Sequence, residues 1–209
     1  MRNSLSHVVI ISVLLINGCS TTIPLQSNLS DQTLLMAENK NIKVNVDLVS
    51  LVPNGEIEQV YFLKNGNRSS AQVFEYQSET AFRNMWTAYF ENKFNSFSKT
   101  EMDVKVTLTE LYLSEQSATS IGAQLLTGNN KSNVEAVGVF MVEVQYKGET
   151  YQNELKVSSS EYQETQSTNY GTFAKNNPME QRAQLLQNTF NRSIIQFDNF
   201  VRQMLTAEE

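Results

Sequence analysis

Val134-Glu135-Ala136-Val137-Gly138-Val139-Phe140-Met141-Val142-Glu143-Val144-Gln145-Tyr146, then Lys147-Gly148-Glu149, then Thr150-Tyr151-Gln152-Asn153-Glu154-Leu155-Lys156-Val157-Ser158: this stretch decides the fold. In its first arm Phe140, Val142, Val144 and Tyr146 recur at every second position, the period of a strand with one face buried. Val137, Val139 and Met141 make the opposite face apolar as well, so the middle of this strand is either covered on both sides or central in its sheet. Lys147-Gly148-Glu149 supplies a turn. From Tyr151 to Ser158 the pattern returns, with Leu155 and Val157 alternating with Glu154 and Lys156. The two arms form an antiparallel hairpin.

Working toward the N-terminus, Val104, Val106 and Leu108 alternate, and Leu111 and Leu113 resume after a slip of one residue. A slip of that kind predicts a bulge near Thr109-Glu110. Ile42, Val44, Val46 and Leu48 alternate with Lys43, Asn45 and Asp47, and the run ends at the turn Pro53-Asn54-Gly55. Val60-Tyr61-Phe62-Leu63 leads into Asn65-Gly66, a hairpin signal because both residues accept positive φ, and Ala71 to Tyr76 is the returning strand.

Between these strands the period changes. Phe82, Met85, Trp86, Tyr89, Phe90, Phe94 and Phe97 fall on one face at spacings of three and four, a helix of about 20 residues opened by Ser78 as N-cap. Such a stripe calls for burial against a sheet or another helix; an exposed aromatic platform for ligands or partners is the alternative. The last helix carries complete local signals: Asn177 as cap, Pro178 at the first helical position, Glu180 three residues after the cap. Met179, Ala183, Leu186, Phe190, Ile194, Phe197, Val201 and Met204 then follow at threes and fours. The expected fold class is α+β, a mostly antiparallel sheet of about five or six strands with two amphipathic helices packed on one face. Two long polar stretches read as loops. One, 117–132, carries Ile121, Leu125 and Leu126; the other, 159–176, carries Tyr162, Tyr170 and Phe173. Loops of that length in a small domain are often functional, and these six residues are the expected partner contacts.

The N-terminus has three zones. Arg2 gives a positive start, Val8 to Ile16 is an apolar core, and Asn17-Gly18-Cys19 follows. Basic, apolar and small, in that order, describe an export signal, and the core falls short of the roughly 20 apolar residues that cross a bilayer. Leu15-Ile16-Asn17-Gly18-Cys19 resembles the lipobox of bacterial lipoproteins, which implies cleavage after residue 18 and lipidation of Cys19. Ser20, being other than Asp, by the same resemblance implies transfer to the outer membrane. The expected organisation is a signal peptide over 1–18, a lipid anchor and flexible tether over 19–41, and one periplasmic domain over 42–209. A flexible tether of that length reaches about 25 Å.

The chemistry that remains after export is narrow. The only histidine, His7, leaves with the signal, and the only cysteine is Cys19. The rest cannot assemble a Ser-His or Cys-His nucleophile, nor a zinc site with His or Cys ligands. No Gly-rich phosphate loop is present. Glu154, Glu161 and Glu164 are the carboxylates open to acid–base work, on segments where solvation is their ordinary role. Loss of Arg2 with the signal turns 16 basic residues into 15, against 22 acidic ones. A chain so acidic lacks the basic face that nucleic acid requires. The expectation is a protein without catalysis, metal or cofactor, held to the membrane by lipid, with an envelope protein complex as partner.

The order of elements, carried by Ile42-Lys43-Val44-Asn45-Val46, the helix around Trp86, Val104-Lys105-Val106-Thr107-Leu108 and the Val139–Val157 hairpin, resembles the small α+β lipoproteins of Gram-negative bacteria. The nearest groups are the YajG-like lipoproteins and the auxiliary lipoproteins of ABC-type lipid transporters. That resemblance implies an assembly or scaffolding role in the envelope, with a lipid or lipopolysaccharide carrier as the alternative. It carries over no site residue.

Overall fold

The structure, a computed structural model, describes residues 22–168, 171–174 and 177–207. The predicted signal peptide, Cys19 and Tyr170 lie outside them.

The hairpin is the spine of the sheet. Strands β5 (Asn129–Tyr146) and β6 (Glu149–Thr168) pair from Asn129↔Gln166 to Tyr146↔Glu149. Between them Lys147 and Gly148 have φ of 49° and 86°. Two left-handed residues in a two-residue loop twist the chain in the sense that the flanking strands need. On the other side of β5 lies antiparallel β4 (Glu101–Ser117), and its register shifts between Leu108 and Glu110. This is the predicted bulge. Thr109 is the extra residue, its hydroxyl donating to the Val139 carbonyl at 3.1 Å. The insertion lets Val104, Val106 and Leu108 before it, and Leu111 and Leu113 after it, all face the core.

Two short strands share the remaining side of β4. Strand β1 (Lys43–Ser50) runs parallel to its first half and β2 (Glu56–Phe62) parallel to its second. Strand β3 (Arg68–Glu75) hairpins onto β2 through Gly66, whose φ is 81°. Strand β7 (Gly171–Ala174) pairs with the end of β6. The sheet has seven strands in the order β3-β2-β4-β5-β6-β7, with β1 beside β4, and four of its six pairings are antiparallel. The α+β expectation holds, and β5 is indeed central, with both sides of its middle flanked by other strands.

A short helix, α1 (Asp31–Met36), precedes β1. The long helices α2 (Ser78–Lys93) and α4 (Pro178–Thr206) lie on one face of the sheet. Their stripes meet as rings. Trp86 sits 5.3 Å from Phe197 and 6.1 Å from Phe140, and Phe140 sits 6.2 Å from Phe190, all fully buried. Helix α4 packs tightly on the sheet at Gly138, where an added Cβ would stand 2.9 Å from both Phe140 and Thr189. Asn177 caps α4 as predicted, accepting from the Met179 amide at 3.1 Å.

Four expectations are corrected. Helix α2 is 16 residues long, Gln77 is its N-cap, and Ser78 is already inside the first turn. It ends early because the chain after it is drawn into a bridge: the Lys40 amide donates to Lys93, and the Asn95 amide donates to both Lys40 and Ile42. Phe97 therefore leaves the stripe and is 93% exposed. The stretch 117–132 is not a loop, since β4 continues to Ser117, a third short helix α3 (Ile121–Thr127) turns the corner, and β5 begins at Asn129. Nor is most of 159–176: β6 continues to Thr168 and β7 follows, because hairpin pairing holds even a Ser/Gln/Thr-rich chain extended. Finally, residues 22–41 do not form a free tether. Ile23 bridges to Tyr76, and Leu25, Leu29, Thr33, Ala37 and Lys40 are buried.

Candidate functional site

Of the six residues expected to contact a partner, the five within the described residues lie toward one end of the sheet. Ser120 caps α3 through the Ala123 amide, and Gly128, at φ 68°, ends it. This helix buries no residue and leaves Ile121, Leu125 and Leu126 largely exposed at the tip of the β4–β5 hairpin. Tyr162 is exposed on β6 opposite Asn133 of β5. Phe173 is placed by its backbone in β7, opposite Gln166. The structure thus unites Ile121, Leu125 and Leu126 on one short helix and sets Tyr162 on a strand.

A second surface escaped the sequence reading, and it lies on β1. The Lys43 amide donates to Thr100 and the Leu51 amide to Leu108, so odd-numbered residues of β1 turn their backbone toward β4. Val44, Val46 and Leu48 turn theirs outward. At one end of this outer edge the Ile42 carbonyl is taken by Asn95. At the other, the Leu48 carbonyl accepts from Arg83 Nη1 at 2.6 Å, and Glu79 holds that guanidinium at 2.9 Å. Between these stops, five groups have no partner among the described residues: the N–H and C=O of Val44 and of Val46, and the N–H of Leu48. An unpaired row of this kind is a template for another strand.

An apolar groove of about 380 Å³ runs beside that edge, lined by Val44 and Val46 of β1 and Thr87, Phe90 and Phe94 of the α2 end. Val46, one of the lining residues, is 39% exposed. Lys43 and Glu91 stand at the rim. Lys43 is engaged with Glu101 at 2.7 Å, whereas Glu91 has no ion-pair partner among the described residues.

The other borders of the sheet differ. Along β6, α4 covers part of the edge, Gln181 donating to the Tyr162 carbonyl at 3.1 Å and Arg192 to that of Ser158 at 2.5 Å, and β7 covers its far end. Toward the turn the outward backbone of Thr150, Gln152 and Glu154 has no partner among the described residues, beside polar side chains. Strand β3 presents Arg68, Ser69, Ser70 and Gln72, the polar character that discourages strand addition.

The buried charges are clasps. Asp198 of α4 takes Lys40 Nζ and the Tyr89 hydroxyl, the latter at 2.8 Å, on one oxygen and the Glu38 amide at 3.3 Å on the other. Lys40 also donates to the Glu38 carbonyl at 3.0 Å and lies 5.5 Å over the Phe94 ring. Burial pushes the Tyr89 phenol well above its ordinary range, and the Asp198 charge and hydrogen bond push it further. Near the start of α4, Glu115 accepts from Gln59, Ser132 and Arg182 at 2.8–3.1 Å. Each of these carboxylates is committed to donors from other elements. No group of three or more His, Cys, Asp or Glu that could hold a metal occurs among the described residues, and no helix there is long and apolar enough to cross a membrane.

No family model and no curated protein sequence matches the chain. Among solved structures it is similar to protein XCC0632 from Xanthomonas campestris, which carries the family-model label DUF330. The identity is 4%, over 90% of this chain and 97% of that one, at a TM-score of 0.45. It is also similar to a chain described only as an uncharacterized protein, at 11% identity, over 87% of this chain and 99% of that one, with a TM-score of 0.45.

Proposed function

We propose that this chain is a non-catalytic lipoprotein of the outer membrane, anchored through Cys19, whose periplasmic domain binds an envelope protein as an accessory or assembly factor. The observation that carries the reading is the β1 border, where free backbone groups lie beside an apolar groove. Its affinity for the YajG-like and ABC-transport auxiliary lipoproteins, drawn from the order of elements, belongs to the same proposal.

The packed segment 22–41 sharpens the geometry. Ile23 is fixed to the domain, its amide donating to Glu75 at 2.7 Å. Cys19 is four residues away, a span of about 14 Å at most. The domain then works at the membrane surface, closer than a flexible tether would hold it.

A lipid carrier is the competing reading, and it needs an apolar bay of several hundred Å³ between the helices and the sheet. That interface is filled by Phe82, Trp86, Phe140, Phe190 and Phe197, each fully buried. Crosslinking the native lipoprotein in membranes, followed by pull-down, separates the two. Reproducible recovery of one secretion, flagellar or transport component supports the proposal; recovery of lipid alone overturns it.

A further inference from the structure

The open edge of β1 is bounded, and its bounds specify an occupant. Resting on the protein-binding reading above, we propose that the partner contributes an extended segment that adds as a strand to the outer edge of β1 at Val44–Leu48. Its apolar side chains enter the groove toward Phe90 and Phe94, and a basic side chain at the groove rim lies beside Glu91.

Val44 and Val46 each offer one donor and one acceptor outward, two residues apart. An extended main chain repeats its own donors and acceptors over the same two-residue distance, about 6.6–6.8 Å. A helix has spent those groups internally, and a lipid tail has none. The Asn95 and Arg83 bonds close the row at both ends, so the added strand is about five residues long, roughly 17 Å.

Side chains then set the pattern. An added strand alternates its faces, and on the helix side its residues meet Val44, Val46, Phe90 and Phe94, where apolar groups are favoured. On the opposite face they lie near Asn45 and Asp47. Glu91 lacks an ion-pair partner among the described residues, and Lys43, which lines the same groove, is engaged with Glu101; Asp47, by contrast, has Lys105 as its register partner on β4. The groove rim at Glu91 is therefore complementary to Lys or Arg. A second copy of this chain fits less well, because a two-fold contact through β1 would set one Glu91 rim against the other.

The test uses the full chain in its native envelope with a photo-crosslinking amino acid at Thr87, which lines the groove, and in a separate strain at Leu126. The expected result is a Thr87 crosslink that maps to one extended segment of another protein, with apolar residues at alternate positions and a Lys or Arg at the end of that apolar face. Val46→Pro should cut its yield by about tenfold or more, since it removes an outward N–H that pairing with β4 does not use. Glu91→Lys, at an exposed site outside the fold's own contacts, should cut it several-fold, and it carries the test alone if Val46→Pro unfolds the domain. A partner captured at Leu126 but not at Thr87 overturns this inference and leaves the protein-binding reading standing. Capture at neither site overturns both. A Thr87 crosslink to a second copy of this chain, or one indifferent to both variants, overturns strand addition.

Discussion

Lys40 and Asp198 stand 158 residues apart in the chain and share one buried ion pair. Each has a side chain only 4% exposed, so removing one partner leaves the other charged in a low-dielectric site. Lys40→Met should cost about 3–5 kcal/mol. For a domain of this size that is a fall of roughly 10 °C in Tm by calorimetry. Lys40→Met combined with Asp198→Asn, which keeps an acceptor for Tyr89 and removes the charge, should recover most of the loss. Tyr89 adds a pH dependence. Its folded pKa lies above its ordinary value, so as pH rises past about 10 the unfolded chain releases a proton that the folded chain keeps. Stability is then full below pH 10 and declines above it, by up to about 1.4 kcal/mol per pH unit for this group. Denaturant titrations from pH 8 to 11 should show that slope, and Tyr89→Phe should make it shallower. None of this was legible in the sequence. Lys40 ends a polar stretch in which a charged residue is unremarkable, and nothing local reveals a carboxylate two helices away.

Elements were legible where the signal is local. The one-residue slip around Thr109 stated a bulge, Lys147-Gly148 stated a turn, and Asn177-Pro178 stated where α4 begins. Asn177→Ala, which deletes the side-chain acceptor for the Met179 amide, should cost about 1 kcal/mol with the fold intact. Elements were missed where pairing overrides composition. Ser159 to Thr168 reads as a polar loop, yet β5 imposes strand geometry on it almost to its end. The segment 22–41 failed differently. Its apolar residues are too sparse to show a period, and α1 is held by contacts distant in sequence: Asn191 Oδ1 accepts from the Ser30 amide at 3.2 Å and from the Thr33 hydroxyl at 2.7 Å. Limited trypsin digestion of the folded protein should therefore spare Lys40, whereas a free tether would be cut there within the first minutes.

For the whole molecule, what faces outward matters more than what is buried. The sequence supplied the α+β class and one sheet face covered by two helices, because burial follows periodicity. It could not supply the candidate site, because an open edge is defined by which strand has no neighbour, a property of the assembled sheet. Strand β1 is open because β4 is long enough to carry two strands end to end on one side, β1 and β2, and no described strand lies beyond β1. Under the proposed lipidation of Cys19, Ile23 is fixed only four residues further on, and this border would be presented close to the membrane surface. The compartment, the short leash and the absence of thiol chemistry all depend on what becomes of Cys19. Mass spectrometry of the protein extracted from membranes tests that dependence directly. The account predicts a chain that begins at Cys19 and carries a diacylglyceryl thioether; a chain that still begins at Met1, with a free thiol at Cys19, would contradict it.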